Sequence, residues 1–233
     1  VDNGLSTTIL NEQFTIGTHT VLWEATDIHG NKNTGSYQVL VLDNEKPTAS
    51  CNPHTISLNS SGTYTLQTSD INIISAGSAD PGGIASITVT PDVFGCSDVG
   101  NKTVLLTVTD NSGNSATCEA TVTVQDVTPP TVLCQDVTVY LDVLGNATVA
   151  ATSVNNGSTD ACGIASYQIS KNETDYSTTQ VYTCADVGVK FVWLKVTDIN
   201  GRSAICNTAK VTVIDNISPN AVCNPITVSL GSG

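Results

Sequence analysis

The chain has 233 residues, of which 21 are acidic and 8 are basic, and its formal net charge is −13 at pH 7. This balance argues against nucleic acids and anionic membrane surfaces as partners, because phosphate groups are bound by clustered Lys and Arg side chains. No run of about 18 apolar residues occurs, so the sequence predicts no membrane-inserted helix.

The residue types favour strands and turns over helices. Thr, Val, Ser, Asn and Gly dominate, and Met is absent. The 8 cysteines form no CxxC pair and no Cys/His group of the kind that binds zinc. Disulfides in an oxidising compartment are therefore the better interpretation. The acidic surface would attract divalent cations, or would do no more than keep the protein in solution.

A strand that ends in Asp recurs along the chain. Its three copies end 83 residues apart (43 to 126) and 89 residues apart (126 to 215). Each copy is followed by a proline four residues later and by a cysteine eight residues later: Asp43, Pro47 and Cys51; Asp126, Pro130 and Cys134; Asp215, Pro219 and Cys223. A period of this length is close to an immunoglobulin-like sandwich, which has about 100 residues.

The repeat divides the chain into four parts. Residues 1–43 match the second half of a repeat, 44–126 and 127–215 are complete repeats, and 216–233 match the first strand of a further one. We therefore expect this sequence to be an excerpt from a longer tandem array.

Within each repeat the apolar residues alternate with period two. Corresponding positions hold Val21, Trp23 and Ala25 in the first fragment, Val104, Leu106 and Val108 in the second repeat, and Val192, Leu194 and Val196 in the third. Alternation of this kind is typical of a strand with one buried and one solvated face. The predicted fold class is all-β, in the form of tandem immunoglobulin-like β-sandwich repeats.

Several motifs of the third repeat together resemble a known family. They are GSTDACGIAS at 157–166, CADVG at 184–188, VTDING at 196–201 and VTVIDNISP at 211–219. The combination resembles the hyalin-like (HYR-type) immunoglobulin-like repeats of giant bacterial surface adhesins. The resemblance implies an extracellular, cell-surface filament that is built from many such domains and contacts a substratum, as in gliding motility or attachment. The second repeat departs from the pattern, since Gly82 stands where the third repeat has Cys162.

Acidic residues are expected to meet where one repeat follows another. In such a sandwich the loop between the second and third strands, and the last hairpin loop, both return to the pole at which the chain enters. The predicted sets are Asp43, Asp80 and Asp110 at one junction, and Asp126, Asp160 and Asp198 at the next. Clustered carboxylates repel one another unless they are compensated, and Ca²⁺ binds such oxygen ligands well. The alternative is turn chemistry alone, because Asp at the start of a turn commonly accepts hydrogen bonds from its own backbone.

The first and last strands of this sandwich are expected to run parallel and adjacent, which predicts the disulfides Cys51–Cys118 and Cys134–Cys206. Elimination then pairs Cys162 with Cys184, although a strand count places these two toward opposite poles. Cys96 has Gly82 at the position that would hold its partner, so it is predicted to be a free thiol.

The predicted function is structural, without catalysis. The histidines His19, His29 and His54 are scattered and adjoin no nucleophile motif such as G-x-S-x-G. The expected partners are neighbouring repeats of the same chain and a substratum such as surface polysaccharide. Two alternatives remain: an array of carbohydrate-binding modules on a secreted enzyme, and a self-associating surface-layer or fibre protein.

Overall fold

A computed structural model describes residues 14–219. Contacts between Cα atoms divide the chain into two compact units. Unit 1 contains the residues up to Ser57 together with Tyr64–Gln125, and unit 2 contains Leu58–Thr63 together with the residues from Asp126 onward. The division after Gln125 lies one residue before the predicted repeat boundary.

The predicted first fragment falls within unit 1, and its first 13 residues lie outside the described part of the chain. Most of the predicted last strand, residues 220–233, also lies outside it. The division into four repeats and part-repeats remains a prediction.

Strands make up most of the described chain, with two short helices between them. In chain order the elements are β1 (Gly17–Thr26), β2 (Lys32–Val41), β3 (His54–Ser57), β4 (Thr63–Thr65), α1 (Thr68–Ile74), β5 (Ile84–Thr90), β6 (Val93–Gly95), β7 (Gly100–Asp110), β8 (Ser115–Gln125), β9 (Val137–Tyr140), β10 (Asn146–Ala150), α2 (Ala151–Val154), β11 (Ile164–Ser170), β12 (Thr179–Thr183), β13 (Gly188–Phe191), β14 (Trp193–Asp198), β15 (Ser203–Cys206) and β16 (Lys210–Ile214). Single 3₁₀ turns lie at Cys96–Asp98 and Cys184–Asp186.

Unit 1 contains a four-stranded sheet in the order β3-β8-β7-β5 and a two-stranded sheet of β4 and β6. Strands β1 and β2 form a separate antiparallel hairpin. In unit 2 the corresponding sheets are β11-β14-β15, β13-β16-β9 and β10-β12. The long strands β7 and β8 of unit 1 each correspond to two shorter strands in unit 2, because the ladder is interrupted at Val192 and at residues 207–209.

The first strand of each sandwich lies parallel to the last one, as predicted. In unit 1, β3 pairs in parallel with β8, and in unit 2, β9 pairs in parallel with β16. The chain therefore enters a sandwich at one pole and leaves it at the other. The pairs β1–β2, β5–β7, β7–β8, β10–β12, β11–β14, β13–β16 and β14–β15 are antiparallel.

Burial follows the predicted alternation in both sandwiches. The side chains of Val104, Leu106 and Val108 in β7, and of Val192, Leu194 and Val196 in unit 2, are fully buried. Burying an aliphatic side chain of this size contributes about 1.5–3 kcal/mol. The same prediction is wrong for the first fragment, where Trp23 remains 46% exposed. The reason is that no second sheet among the described residues covers that face of the β1–β2 hairpin.

Helix α1 was not predicted by the periodicity of the sequence. It has only seven residues, too few for an apolar pattern to repeat. Its start is fixed locally, because the backbone N–H of Gln67 donates to Asp70 Oδ2 at 2.7 Å. Such a bond satisfies a donor that the first helical turn leaves without a partner.

Two disulfides join the predicted pairs. Cys51 bonds to Cys118 and Cys134 bonds to Cys206, with Cα–Cα distances of 6.0 and 6.1 Å. Both distances lie in the normal range for a disulfide. Each bond links the segment before the first strand of a sandwich to the last part of the sandwich, and so closes the loop of chain that forms the domain.

The predictions for the other cysteines are wrong. Cys184 is a free, exposed thiol, so it does not pair with Cys162. Cys162 and Cys96 are both disulfide-bonded, so Cys96 is not free. Cys162 precedes β11 beside Asp160. Cys184 instead follows β12, with its Sγ 3.8 Å from the carbonyl oxygen of Gly145 at the opposite end of the sandwich. The two sulfurs are therefore held at different poles of unit 2.

Candidate metal sites in the acidic turns

Three hairpin turns start with an aspartate that organises the loop in the same way. One carboxylate oxygen, Oδ1, accepts hydrogen bonds from the backbone N–H groups two and four residues later, at 2.8–2.9 Å. These bonds run from His29 and Asn31 to Asp27, from Ser112 and Asn114 to Asp110, and from Asn200 and Arg202 to Asp198. Turn chemistry therefore accounts for one oxygen of each carboxylate.

The second oxygen, Oδ2, differs among the turns. The Asn31 amide donates to Asp27 at 2.8 Å, and the Asn114 amide donates to Asp110 at 2.9 Å. Arginine replaces asparagine at the corresponding position 202. As a result, Asp198 Oδ2 is buried and has no hydrogen-bond partner in the described part of the chain.

The predicted carboxylates of unit 1 come together. Asp43, Asp80 and Asp110 each offer an oxygen, and these three oxygens lie within 4.8 Å of one another. Asp43 follows β2, Asp80 precedes β5, and Asp110 ends β7, so three distant segments meet in one cluster, here called the unit 1 cluster. The bulged register between Ile84 and Ser86 lies directly after the Asp80 loop.

Neighbouring donors tie this cluster together. The Asn114 amide donates to the carbonyl oxygen of Asp43 at 3.1 Å, and the Ser112 hydroxyl donates to Asp43 Oδ2 at 3.4 Å. The backbone N–H of Gly82 donates to Asp80 Oδ1 at 2.7 Å. A Cβ atom on Gly82 would lie 2.8 Å from Asp43 Oδ2, so the missing side chain is what allows this close approach.

Water also reaches the unit 1 cluster. Asp43 and Asp80 are only partly buried. A cavity of about 430 Å³ adjoins them and is lined in part by Ile16, Leu42 and Pro81. Solvent can therefore hydrate these two carboxylates where protein donors do not.

Hydrogen bonds stabilise the charged form of Asp110. Burial by itself raises the pKa of this carboxyl, but donors from Asn114, Ser112 and Gly113 outweigh burial and lower the pKa below its ordinary value of 3.8. The pKa of Asp27 is also lowered, chiefly by the Asn31 side chain and backbone. Both carboxylates are therefore ionised at neutral pH.

The second predicted set is only partly brought together. Oxygens of Asp126 and Asp160 and the sulfur of Cys162 form the close group in unit 2. Asp198 is not a member of that group, which corrects the prediction, and the disulfide-bonded Cys162 is not available as a thiolate. We call Asp126 and Asp160 the unit 2 cluster; Asp198 and Asn200 belong to the hairpin turn between β14 and β15.

Asp126 is more deeply buried than Asp43, the corresponding residue of unit 1. Asp126 is 6% exposed and Asp198 is 1% exposed. Asp126 Oδ1 accepts the backbone N–H of Thr128 at 3.1 Å, but Asp126 Oδ2 and Asn200 Oδ1 have no hydrogen-bond partner among residues 14–219. With Asp198 Oδ2, unit 2 thus has three buried carboxylate or amide oxygens without partners, which is unusual because buried polar groups are normally satisfied.

These oxygens match the requirements of Ca²⁺. The ion takes six to eight oxygen ligands at about 2.3–2.6 Å, so two oxygens that share it lie no more than about 5 Å apart. The oxygens of Asp126 and Asp160, and those of the unit 1 cluster, lie within 4.8 Å. The unit 1 cluster and the pair of Asp126 and Asp160 therefore both satisfy the distance condition. Of the two, only the unit 2 cluster also has a buried oxygen, Asp126 Oδ2, without a hydrogen-bond partner in the described chain.

Sequence reasoning missed the buried carboxylate of Asp70. Asp70 is 7% exposed and accepts hydrogen bonds from His54 Nε2 at 2.9 Å and from the Tyr64 hydroxyl at 2.8 Å. Burial raises its pKa, but these donors and the backbone N–H of Gln67 lower it overall. His54 is thus part of a polar network around the start of α1, and only the spacing of Gln67 and Asp70 could have indicated it.

Comparisons with known proteins agree with a repeat of this kind. No family model matches the chain. Hyalin of Strongylocentrotus purpuratus is 33% identical over 167 residues, which cover 68% of this chain and 14% of Hyalin. The chain thus spans about a seventh of the length of this relative.

Solved structures with some likeness include arrays of cadherin domains and of titin domains, and also an endo-fucoidan hydrolase of glycoside hydrolase family 107. Cadherin domains 1–4 of protocadherin gamma B7 align over 85% of this chain and 58% of that one, at 13% identity and a TM-score of 0.39. Three titin domains align over 84% and 75%, at 12% identity and a TM-score of 0.38. At such scores the assignment as immunoglobulin-like sandwiches depends on the strand topology of the chain itself. No helix among the described residues is long and apolar enough to cross a membrane.

Proposed function

We propose that this chain is a stretch of the extracellular stalk of an adhesin, made of consecutive immunoglobulin-like repeats. The observation that carries the proposal is that one sandwich topology occurs twice in succession, each time with its first strand parallel to its last. Such a repeat receives the chain at one pole and passes it on at the other. Repetition of this unit extends a chain lengthwise without any catalytic site.

The motifs of the third repeat favour a particular setting. They resemble the repeats of giant surface adhesins of Bacteroidota, such as the gliding-motility adhesin SprB, and the Hyalin match supports the same repeat class. In that setting the chain would extend an adhesive tip from the outer membrane, or transmit force to a substratum such as surface polysaccharide. The disulfides are consistent with an oxidising, extracellular environment.

The test uses the full-length natural protein in its own cells. An antibody raised against residues 44–215 should label the surface of intact cells, and loss of the protein should abolish attachment or gliding. An in-frame deletion of residues 127–215 should shorten the surface filament and retain adhesion, because one whole repeat is removed. Labelling only after the cells are broken open would contradict the proposal.

We further propose that Ca²⁺ at one or both acidic clusters braces the segments that meet there. The support is the convergence of carboxylates from separate loops, within the distance that one ion can span. A bound ion would link the strand end before each sandwich to two of its loops, and so restrict hinging. Calcium that binds only the folded state should raise the melting temperature. Identical melting of the chain in excess Ca²⁺ and in a chelator would rule this out.

One surface favours the alternative of lateral self-association. On the outer face of the β13-β16-β9 sheet, Val189, Phe191 and Tyr140 are each 58% exposed. The strand register places these three side chains on one face of the sheet, together with Thr212 and Lys210 of the central strand β16. Sedimentation of the purified chain over a range of concentrations would show association if this surface self-pairs, and Phe191→Ser should then prevent it.

A further inference from the structure

In the unit 1 cluster, the amide of Asn114 donates to oxygens that a cation could otherwise bind. The Asn114 amide donates to Asp110 Oδ2 at 2.9 Å and to the carbonyl oxygen of Asp43 at 3.1 Å. One side chain thus bridges the turn and the strand end that precedes the sandwich. It satisfies two of the oxygens that would otherwise be ligands for a metal ion.

Arg202 performs only part of this role in unit 2. Its Nε–H group approaches the carbonyl oxygen of Asp126 at 3.5 Å, which corresponds to the bond from Asn114 to Asp43. No group replaces the other half of the bridge, so Asp198 Oδ2 has no donor in the described chain. Asp126 Oδ2 and Asn200 Oδ1 lack donors as well.

Charge adds to the same imbalance. A buried carboxylate without hydrogen bonds or a counter-charge is strongly disfavoured. Arg202 is exposed, and none of the ion pairs within 4 Å in the described chain joins it to a carboxylate. The two carboxylates of Asp126 and Asp160 carry a formal charge of −2, which a divalent cation would balance.

We infer that the unit 2 cluster binds one divalent cation through Asp126 and Asp160, while Asn114 takes the place of the cation in unit 1. Ca²⁺ is the best match, because it accepts mixed carboxylate and amide oxygens in a flexible shell, whereas Mg²⁺ demands a near-ideal octahedron. This assignment rests on the proposed calcium role. The unit 2 cluster binds the ion, and the residue at position 114 or 202 decides which cluster is free to bind it.

The test is calorimetric titration of CaCl₂ into the cation-stripped 233-residue chain. One binding equivalent is expected. Asp126→Asn should weaken binding at least 10-fold, because it removes a buried charged ligand. The matched control is Asp43→Asn, the corresponding change in unit 1, which should alter the Kd less than 2-fold.

Exchange of the deciding side chain gives a second, independent test. Arg202→Asn supplies the amide that unit 1 already has, and should weaken calcium binding at least 10-fold. Asn114→Ala removes that amide from unit 1, and a second binding equivalent should then appear. Circular dichroism and the intact Cys134–Cys206 bond would verify that each variant is folded.

Each outcome has a distinct meaning. If the wild-type chain gives no heat, or if two equal equivalents bind, the inference is wrong, and in the first case buried water satisfies these oxygens. If Asp43→Asn abolishes binding and Asp126→Asn does not, the choice of cluster is wrong while the calcium proposal survives. Neither result bears on the proposed stalk function, which the cell-surface experiments test separately.

Discussion

The turns that begin at Asp110 and Asp198 have the same backbone hydrogen bonds and differ at one deciding side chain. Both carboxylates hold two N–H groups through Oδ1. Asn114 completes the first turn, whereas Arg202 leaves a buried oxygen of the second without a partner. Two turns can therefore share a backbone conformation and still differ at the second carboxylate oxygen, because the turn depends on backbone bonds and the pairing of that oxygen depends on a single side chain.

The largest expected loss of stability follows removal of a disulfide, and it tests whether the two sandwiches are otherwise equivalent. Their disulfides span 67 and 72 residues, so loop entropy predicts nearly equal contributions of about 4 kcal/mol each. We expect the double serine variants of Cys51–Cys118 and of Cys134–Cys206 to lose similar stability, each in its own unit. Urea unfolding followed by hydrogen exchange of peptides from each unit measures this. Losses that differ several-fold would show that the two frameworks are not equivalent.

The next largest loss of stability is expected when the turn aspartates are replaced by alanine and unfolding is measured in the absence of divalent cations. Asp198→Ala loses two backbone hydrogen bonds and also removes a buried, unpartnered oxygen, so we expect a net loss of about 1 kcal/mol. Asp110→Ala should be more destabilising, because that carboxylate also accepts the Asn114 amide. Chemical denaturation in a chelator gives both values. A larger loss for Asp198→Ala would reverse the comparison.

Exchange of the deciding side chains should have opposite effects in the two units. In cation-free buffer, Arg202→Asn gives Asp198 Oδ2 a donor and should stabilise unit 2 by about 1 kcal/mol. Asn114→Arg removes the corresponding donor and should destabilise unit 1 by a similar amount. Thermal melting of both variants is the measurement, and a shift in the same direction for both would contradict the comparison.

Acid should weaken unit 1 through Asp110. Its pKa is lowered in the folded state, so its contribution is complete above the unfolded value of about 3.8 and is lost as the pH falls through the lower, folded pKa. Asp110→Asn should remove this part of the pH dependence below about pH 4. The measurement is the urea midpoint from pH 5 to pH 2, with replacement of the exposed Asp92 by Asn as the control.

The smallest effect on stability is expected at Cys184. Its exposed thiol should react with iodoacetamide in the unreduced, folded chain, while Cys96 and Cys162 stay unmodified. A surface change of this kind alters stability by about 0.5 kcal/mol or less. Peptide mass spectrometry identifies the modified residue, and an unmodified Cys184 would contradict the assignment of a free thiol.

The amino-acid pattern was enough to predict the sandwich fold and the three carboxylates of the unit 1 cluster. Burial has period two along a strand, so the faces of Val104, Leu106 and Val108 could be predicted from their order alone. The turn aspartates recur at fixed places between strands, and loops at one pole of a sandwich must meet. The same logic predicted the pairing of Cys51 with Cys118, since their strands are neighbours in this topology.

The three-dimensional contacts were needed to establish which described oxygens lack a hydrogen-bond partner and that Cys184 is a free thiol. Asn114 reaches the Asp110 carboxylate, whereas Arg202 reaches only the backbone carbonyl of Asp126, and periodicity does not record this difference. The exposure of Trp23 depends on whether a second sheet covers its face, and the free thiol of Cys184 depends on the pole at which its loop ends. The order of residues along a strand indicates the face on which each side chain lies. A hydrogen bond or disulfide depends instead on which group from another segment of the chain lies next to that side chain.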